Sequence, residues 1–135
     1  MTLRQLAEKE YKLYLDHVEQ AIGHRNVTYG ETIEELCRYL FGKKKFAGVF
    51  ARDRIPKNLN GRYAVVNMDK HDMPGSHWVG MAGDLVYDSF GRITLPGHPT
   101  ERDAEQDVLE VNCGQRCIAW LCVYDVFGAE VASFV

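Results

Sequence analysis

The chain has 135 residues, 46% of them hydrophobic and 26% charged, with a formal net charge of −3. That length supports one hydrophobic core and is short for two, so a single domain over 1–135 is expected, and the composition excludes a disordered or fibrous chain. No apolar run approaches the roughly 20 residues of a membrane span, and Met1 to Glu10 lacks the basic-then-apolar order of a signal peptide, so a protein kept inside the cell, not secreted and without a membrane partner, is expected.

In chain order, Leu3, Ala7, Tyr11, Tyr14, Val18 and Ala21 recur at spacings of three and four, which predicts an amphipathic helix. Thr2 with Gln5 offers a capping box at its start and Gly23 a stop. Thr32 with Glu35 suggests a second capping box ahead of Ile33, Leu36, Cys37, Leu40 and Phe41, with Gly42 closing that helix.

From Phe46 the period changes. Phe46 to Phe50, Arg62 to Met68, His77 to Ala82 and Leu85 to Phe90 are short runs rich in Val, Tyr and Phe, which predict an antiparallel-rich sheet. Gly83-Asp84 is a two-residue turn signal, so the last two runs form a hairpin in which facing residue numbers sum to 167. Residues 91–105 read as a loop, and Cys113, Cys117, Trp120, Leu121 and Tyr124 mark a final helix from about Asn112 to Phe127. Helices, then a sheet, then a helix make an α+β fold.

Charge is unevenly spread. Lys43, Lys44, Lys45, Arg52, Arg54, Lys57 and Arg62 stand against Asp53 alone, while residues 99–135 hold seven acids against Arg102 and Arg116. The basic segment reads either as a solvated surface paired with that acidic tail or as a nucleic-acid patch. Cys37 and Cys122 sit at apolar helical positions, Cys117 lies one turn after Cys113 toward the same face, and with no secretion signal the thiols are expected to be reduced. A C-x3-C-x4-C spacing on one helix without a nearby His pair does not make a zinc site, so no metal is expected.

Four residues point to one chemistry. Cys113-Gly114 opens the final helix, where backbone N–H groups and the helix dipole favour a thiolate, and Gly114 lets a substrate backbone approach. His77 begins a strand, and Asp88 on the partner strand is diagonal to it, so the carboxylate would hold the Nδ1 proton while Nε2 faces the thiol. Gln106 lies seven residues before Cys113, within reach of an oxyanion beside the Cys113 N–H. Taken singly, Cys113 reads better as a core thiol, the His77–Asp88 pair as a strand-edge histidine and a turn acid, and Gln106 as a loop residue. Together they outline a cysteine protease.

The stretch GSHWVGMA-GDLVYDSFG, followed by Q-x6-CGQRC, resembles the adenain-type cysteine proteases: the adenovirus maturation protease and its relatives in Maverick/Polinton elements and virophages, themselves similar to SUMO and ubiquitin-like-protein proteases. The upstream KFAGVFARDRIP…YAVVNMD also looks like the family's lead-in, and the likeness runs from about residue 33 to 127. The resemblance implies a papain-like fold with His77 as base, Asp88 as orienting acid, Gln106 as oxyanion donor and Cys113 as nucleophile, with Trp78, Asn67, Asp69 and Gly114 near the substrate. It also implies cleavage of viral capsid or virion precursors at glycine-containing sites, in the cytoplasm, nucleus or viral factory and in the virion. The connection between Phe90 and Gln106 is tighter than in adenovirus protease, so no required cofactor is carried over; DNA and a viral peptide are the candidate activators, and DNA a candidate partner. The other readings are a protease that deconjugates a ubiquitin-like protein, and a non-catalytic module on the same fold that binds nucleic acid or capsid.

Overall fold

The computed structural model of the chain describes residues 1–23, 30–68, 77–83, 85–89 and 112–135. Helix α1 (Leu3–Ile22) starts at the expected capping box: Gln5 N donates to Thr2 Oγ1 at 3.1 Å and Thr2 N donates to Gln5 Oε1 at 2.9 Å. Its buried stripe is Ala7, Tyr11 and Val18, and Gly23 ends it at φ 91°, a backbone conformation that glycine adopts without penalty.

Helix α2 (Gly30–Lys45) buries Ile33, Cys37 and Phe41 and breaks at Gly42, where φ is 76°. The glycine therefore closes the regular helix as expected, but Thr32 does not cap it. The helix is already under way at Gly30, which leaves Thr32 inside its first turn.

Strands β1 (Phe46–Ala51), β2 (Tyr63–Asn67), β3 (Trp78–Ala82) and β4 (Leu85–Tyr87) follow, and the sheet order is β1-β2-β3-β4. The β3–β4 hairpin has the expected register, with Gly80 opposite Tyr87, Met81 opposite Val86 and Ala82 opposite Leu85. Gly83 takes φ 58° at the turn. β2 and β3 are also antiparallel, but β1 runs parallel to β2, so the sheet is mixed. Residues 52–62 cross back to the starting end of β1, using positive φ at Asn60 and Gly61.

Helix α3 (Cys113–Phe127) and the short α4 (Ala129–Ala132) complete the described elements. Ten residues of α3 are buried on all sides of the helix, which matches its place between the sheet and α1. Trp120 is its anchor: the indole stacks on Tyr87 at 5.4 Å with 9° between planes, and Nε1 donates to Ala132 O at 3.1 Å. The opposite face of the sheet is aliphatic, built from Ala64, Val66, Val79, Met81 and Val86 with Leu59 from the crossover. With both faces covered, β2 and β3 are buried along their whole length. Among the described residues no helix is long and apolar enough to cross a membrane.

Candidate active site

His77, Asp88 and Cys113 come together at one end of the sheet. β3 begins just after His77, whose carbonyl accepts from Met68 N at 2.9 Å and so ties it to the end of β2. β4 ends just before Asp88, and the hairpin register brings the two side chains into contact: His77 Nε2 donates to Asp88 Oδ1 at 2.8 Å. The carboxylate is fully buried. The pairing is as expected, but the ring is turned the other way, since Asp88 engages Nε2 and not Nδ1. Backbone register fixes where the imidazole stands; rotation about its own side-chain bonds decides which nitrogen meets the acid, and no strand pattern encodes that.

Cys113 is the first residue of α3, and Trp78 N donates to its Sγ at 3.4 Å. The nucleophile candidate thus sits against the residue that follows the histidine. Burial alone would lower the His77 pKa; the hydrogen bond and charge of Asp88, with the nearby Cys113 sulfur, outweigh it and raise the pKa to about 9. At neutral pH this imidazole therefore carries its proton.

The first intrahelical bond of α3 is Arg116 N to Asn112 O at 3.0 Å, so the N–H groups of Cys113 and Gly114 precede the helical ladder. Asn112 stands at the cap position but makes no side-chain capping bond; its Oδ1 accepts from Arg116 Nε at 3.1 Å and its Nδ2 donates to Glu19 Oε1 at 3.0 Å. The helix start is left uncapped by the Asn112 side chain.

The chain matches no family model, no curated protein and no solved structure.

The other expected site residues are distributed as follows. Trp78 is buried, and a Cβ on Gly30 would lie 3.3 Å from the tip of its indole. Asn67 is also buried and pairs with Trp78 across β2 and β3. Gly114 is buried in the first turn of α3. Gln106 and Asp69 lie outside the described residues.

The seven basic residues are divided between the two ends of β1, with Lys57 in the crossover to β2. Lys43, Lys44 and Lys45 precede β1, and Arg62 precedes β2, which starts beside β1. Arg52 and Arg54 follow the other end of β1, about 20 Å away at ~3.3 Å per strand residue. Lys45 pairs with Asp125 at 3.0 Å, an internal contact with the acidic tail, and Arg62 Nε donates to Leu59 O at 3.0 Å. Lys43, Lys44, Arg52, Arg54 and Lys57 are exposed.

The remaining cysteines, Cys37, Cys117 and Cys122, are buried free thiols. Burial, then the neighbouring negative charges, pushes all three pKa values up, that of Cys122 to about 12. Among the described residues no group of three or more His, Cys, Asp or Glu side chains is placed to hold a metal ion.

A set of polar contacts around Cys113 escaped the sequence reading. Gln115 Nε2 donates to Gly23 O at 2.9 Å, Arg116 Nη1 donates to Tyr11 OH at 3.2 Å, and the hydroxyls of Tyr11 and Tyr87 share a hydrogen bond of 2.8 Å. The sequence signals were an arginine in a mostly apolar helix and a tyrosine on the buried stripe of α1, whose hydroxyl needs a partner.

Proposed function

We propose that this chain is a cysteine endopeptidase of adenain-like, papain-like architecture. Cys113 is the nucleophile, His77 the general acid and base, Asp88 the orienting acid and Gln106, with the Cys113 N–H, the oxyanion donor. The observation that supports this best is the convergence of three sequence-distant groups: the 2.8 Å His77–Asp88 bond, and a thiol at a helix start held by the amide next to that histidine. A buried histidine needs a polar partner in any fold, but a packing cysteine has no need of a histidine–carboxylate pair beside it.

With Nε2 on Asp88, proton exchange with the thiol falls to Nδ1. The Cys113 sulfur attacks the scissile carbonyl carbon, and the developing oxyanion meets the N–H groups at the start of α3. The C–N bond then breaks as His77 gives its proton to the leaving amine, and a thioester remains. A water molecule, giving a proton to His77, attacks that thioester, and the acid and the free thiol are released. Asp88 holds the ring in place and stabilises the imidazolium throughout. The substrates proposed are viral capsid or virion precursors cut beside glycine, a reading that rests on the resemblance at residues 33–127.

The test is brief treatment with a thiol-reactive electrophile near neutral pH, followed by mass spectrometry, on wild type, Cys113→Ala and His77→Gln. Fast labelling confined to Cys113 and slowed in His77→Gln is expected; slow, unselective labelling would overturn the proposal. Digestion of capsid precursors and of ubiquitin-like precursors by the same preparation then separates the two substrate classes. Cleavage of either by Cys113→Ala would exclude this nucleophile.

A further inference from the structure

One of the contacts from the N-terminal helix to the candidate site is a tyrosine hydroxyl. Tyr11, on the buried stripe of α1, contacts two elements at once: its oxygen accepts from Arg116 Nη1 at 3.2 Å and shares the 2.8 Å hydrogen bond with Tyr87 OH. Arg116 lies three residues after Cys113 in the same helical turn, and Tyr87 immediately precedes Asp88. The same guanidinium also donates through Nε to the side chain of Asn112, the residue before the nucleophile.

The geometry points to Tyr11 as a positioning residue: its hydroxyl, through Arg116 and Tyr87, fixes the start of α3 relative to the end of β4, and so the placement of Cys113 against the His77–Asp88 pair. This inference rests on the proposed chemistry of those three residues. The positioning runs through Arg116 and Tyr87.

Several features make the hydroxyl more than a satisfied core tyrosine. The ring of Tyr11 packs on that of Tyr87 at 6.1 Å, and Tyr87 is stacked in turn on Trp120 of α3, so the phenol oxygens stand on a framework with little freedom to rotate. Arginine is the residue the arrangement demands, because one planar fork serves Asn112 through Nε and Tyr11 through Nη1. A lysine has one nitrogen and cannot hold that pair of directions. The remaining contacts of the first turn of α3, Asn112 with Glu19 and Gln115 with Gly23 O, also run to α1, so the helix that carries the nucleophile is registered against α1 on its far side from the sheet.

The test is a coupling cycle read on the rate of Cys113 labelling by the same electrophile, with Cys37 and Cys122 as internal references. Tyr11→Phe keeps the ring and removes the hydroxyl, and it should slow Cys113 labelling about fivefold, the size expected for one buried hydrogen bond. Arg116→Lys should do the same and Arg116→Gln no less. In a His77→Gln background, where there is no imidazole left to position against, Tyr11→Phe should change the rate by less than about 1.5-fold.

A merely structural role would instead give equal effects in both backgrounds and quicker labelling of Cys37 and Cys122 as the core loosened. Either of those results, or an unchanged rate in Tyr11→Phe and Arg116→Lys with wild type labelling fast, overturns the inference and leaves the protease reading standing. Slow labelling of Cys113 in the wild type removes the protease reading itself, and the inference with it.

Discussion

The two faces of the sheet are built by different rules. The face under α3 and α1 carries oriented groups: Tyr11, Tyr87, Trp120 and Arg116 each have a hydrogen bond whose direction matters, and Cys113 lies at the edge of this layer. The face under the crossover is filled by Leu59, Ala64, Val66, Val79, Met81 and Val86, which supply volume and no direction. Hydrophobic burial is non-directional, so it can hold a sheet flat against a loop but cannot set a sulfur against an imidazole. The proposed chemistry sits at the end of the sheet where directed contacts were added to the packing.

The comparison can be broken first at the acid. Asp88→Asn keeps the shape but removes the charge that stabilises the imidazolium, and peptide hydrolysis should fall by about 10²-fold or more. A smaller loss, measured as kcat/KM on a cleaved precursor, would mean that Asp88 is a buried structural acid. Next comes the packing anchor of the directed face: Trp120→Ala should cost about 3–5 kcal/mol in denaturant unfolding, from cavity and lost stacking together.

A pH series sharpens the same contrast. The His77 pKa is raised from 6.5 to about 9 in the folded chain, so its contribution to stability is fully present below pH 6.5 and is lost as pH rises through about 9. The thermal midpoint of wild type should decline over that interval more than that of His77→Gln. Catalysis should fail over the same upper limb, since the leaving amine needs a proton from His77. The smallest effect belongs to the undirected face: Met81→Leu, a volume-conserving swap, should cost less than about 1.5 kcal/mol and leave thiol labelling unchanged.

How much of this was legible in the sequence follows from the range of each signal. The β3–β4 register and the meeting of His77 with Asp88 were readable because a tight turn at Gly83 and a period of two leave one alignment. Cys113 at the head of α3 was readable from helical spacing. The direction of β1 was not, because alternation looks the same in a parallel and an antiparallel strand, and only the path of residues 52–62 decides. Thr32 carried a capping-box pattern, yet the helix had begun two residues earlier. The contacts of Tyr11 with Arg116 and of Glu19 with Asn112 join residues 105 and 93 apart, beyond any local pattern.

Those same separations bear on when the site comes into being. α1 is complete before the sheet strands are made, but its partners at Asn112, Gln115 and Arg116 emerge some ninety residues later. At roughly 5–20 residues per second of synthesis, that is a wait of about 5–20 s in which α1 has no α3 to dock on, and Cys113 itself is made only after His77 and Asp88. Closing so long a loop costs entropy before any contact repays it, so the directed contacts are expected among the last to form. A nascent chain of this protein therefore carries no assembled site, and the reactivity proposed for Cys113 is an outcome of completed folding and not of any one segment.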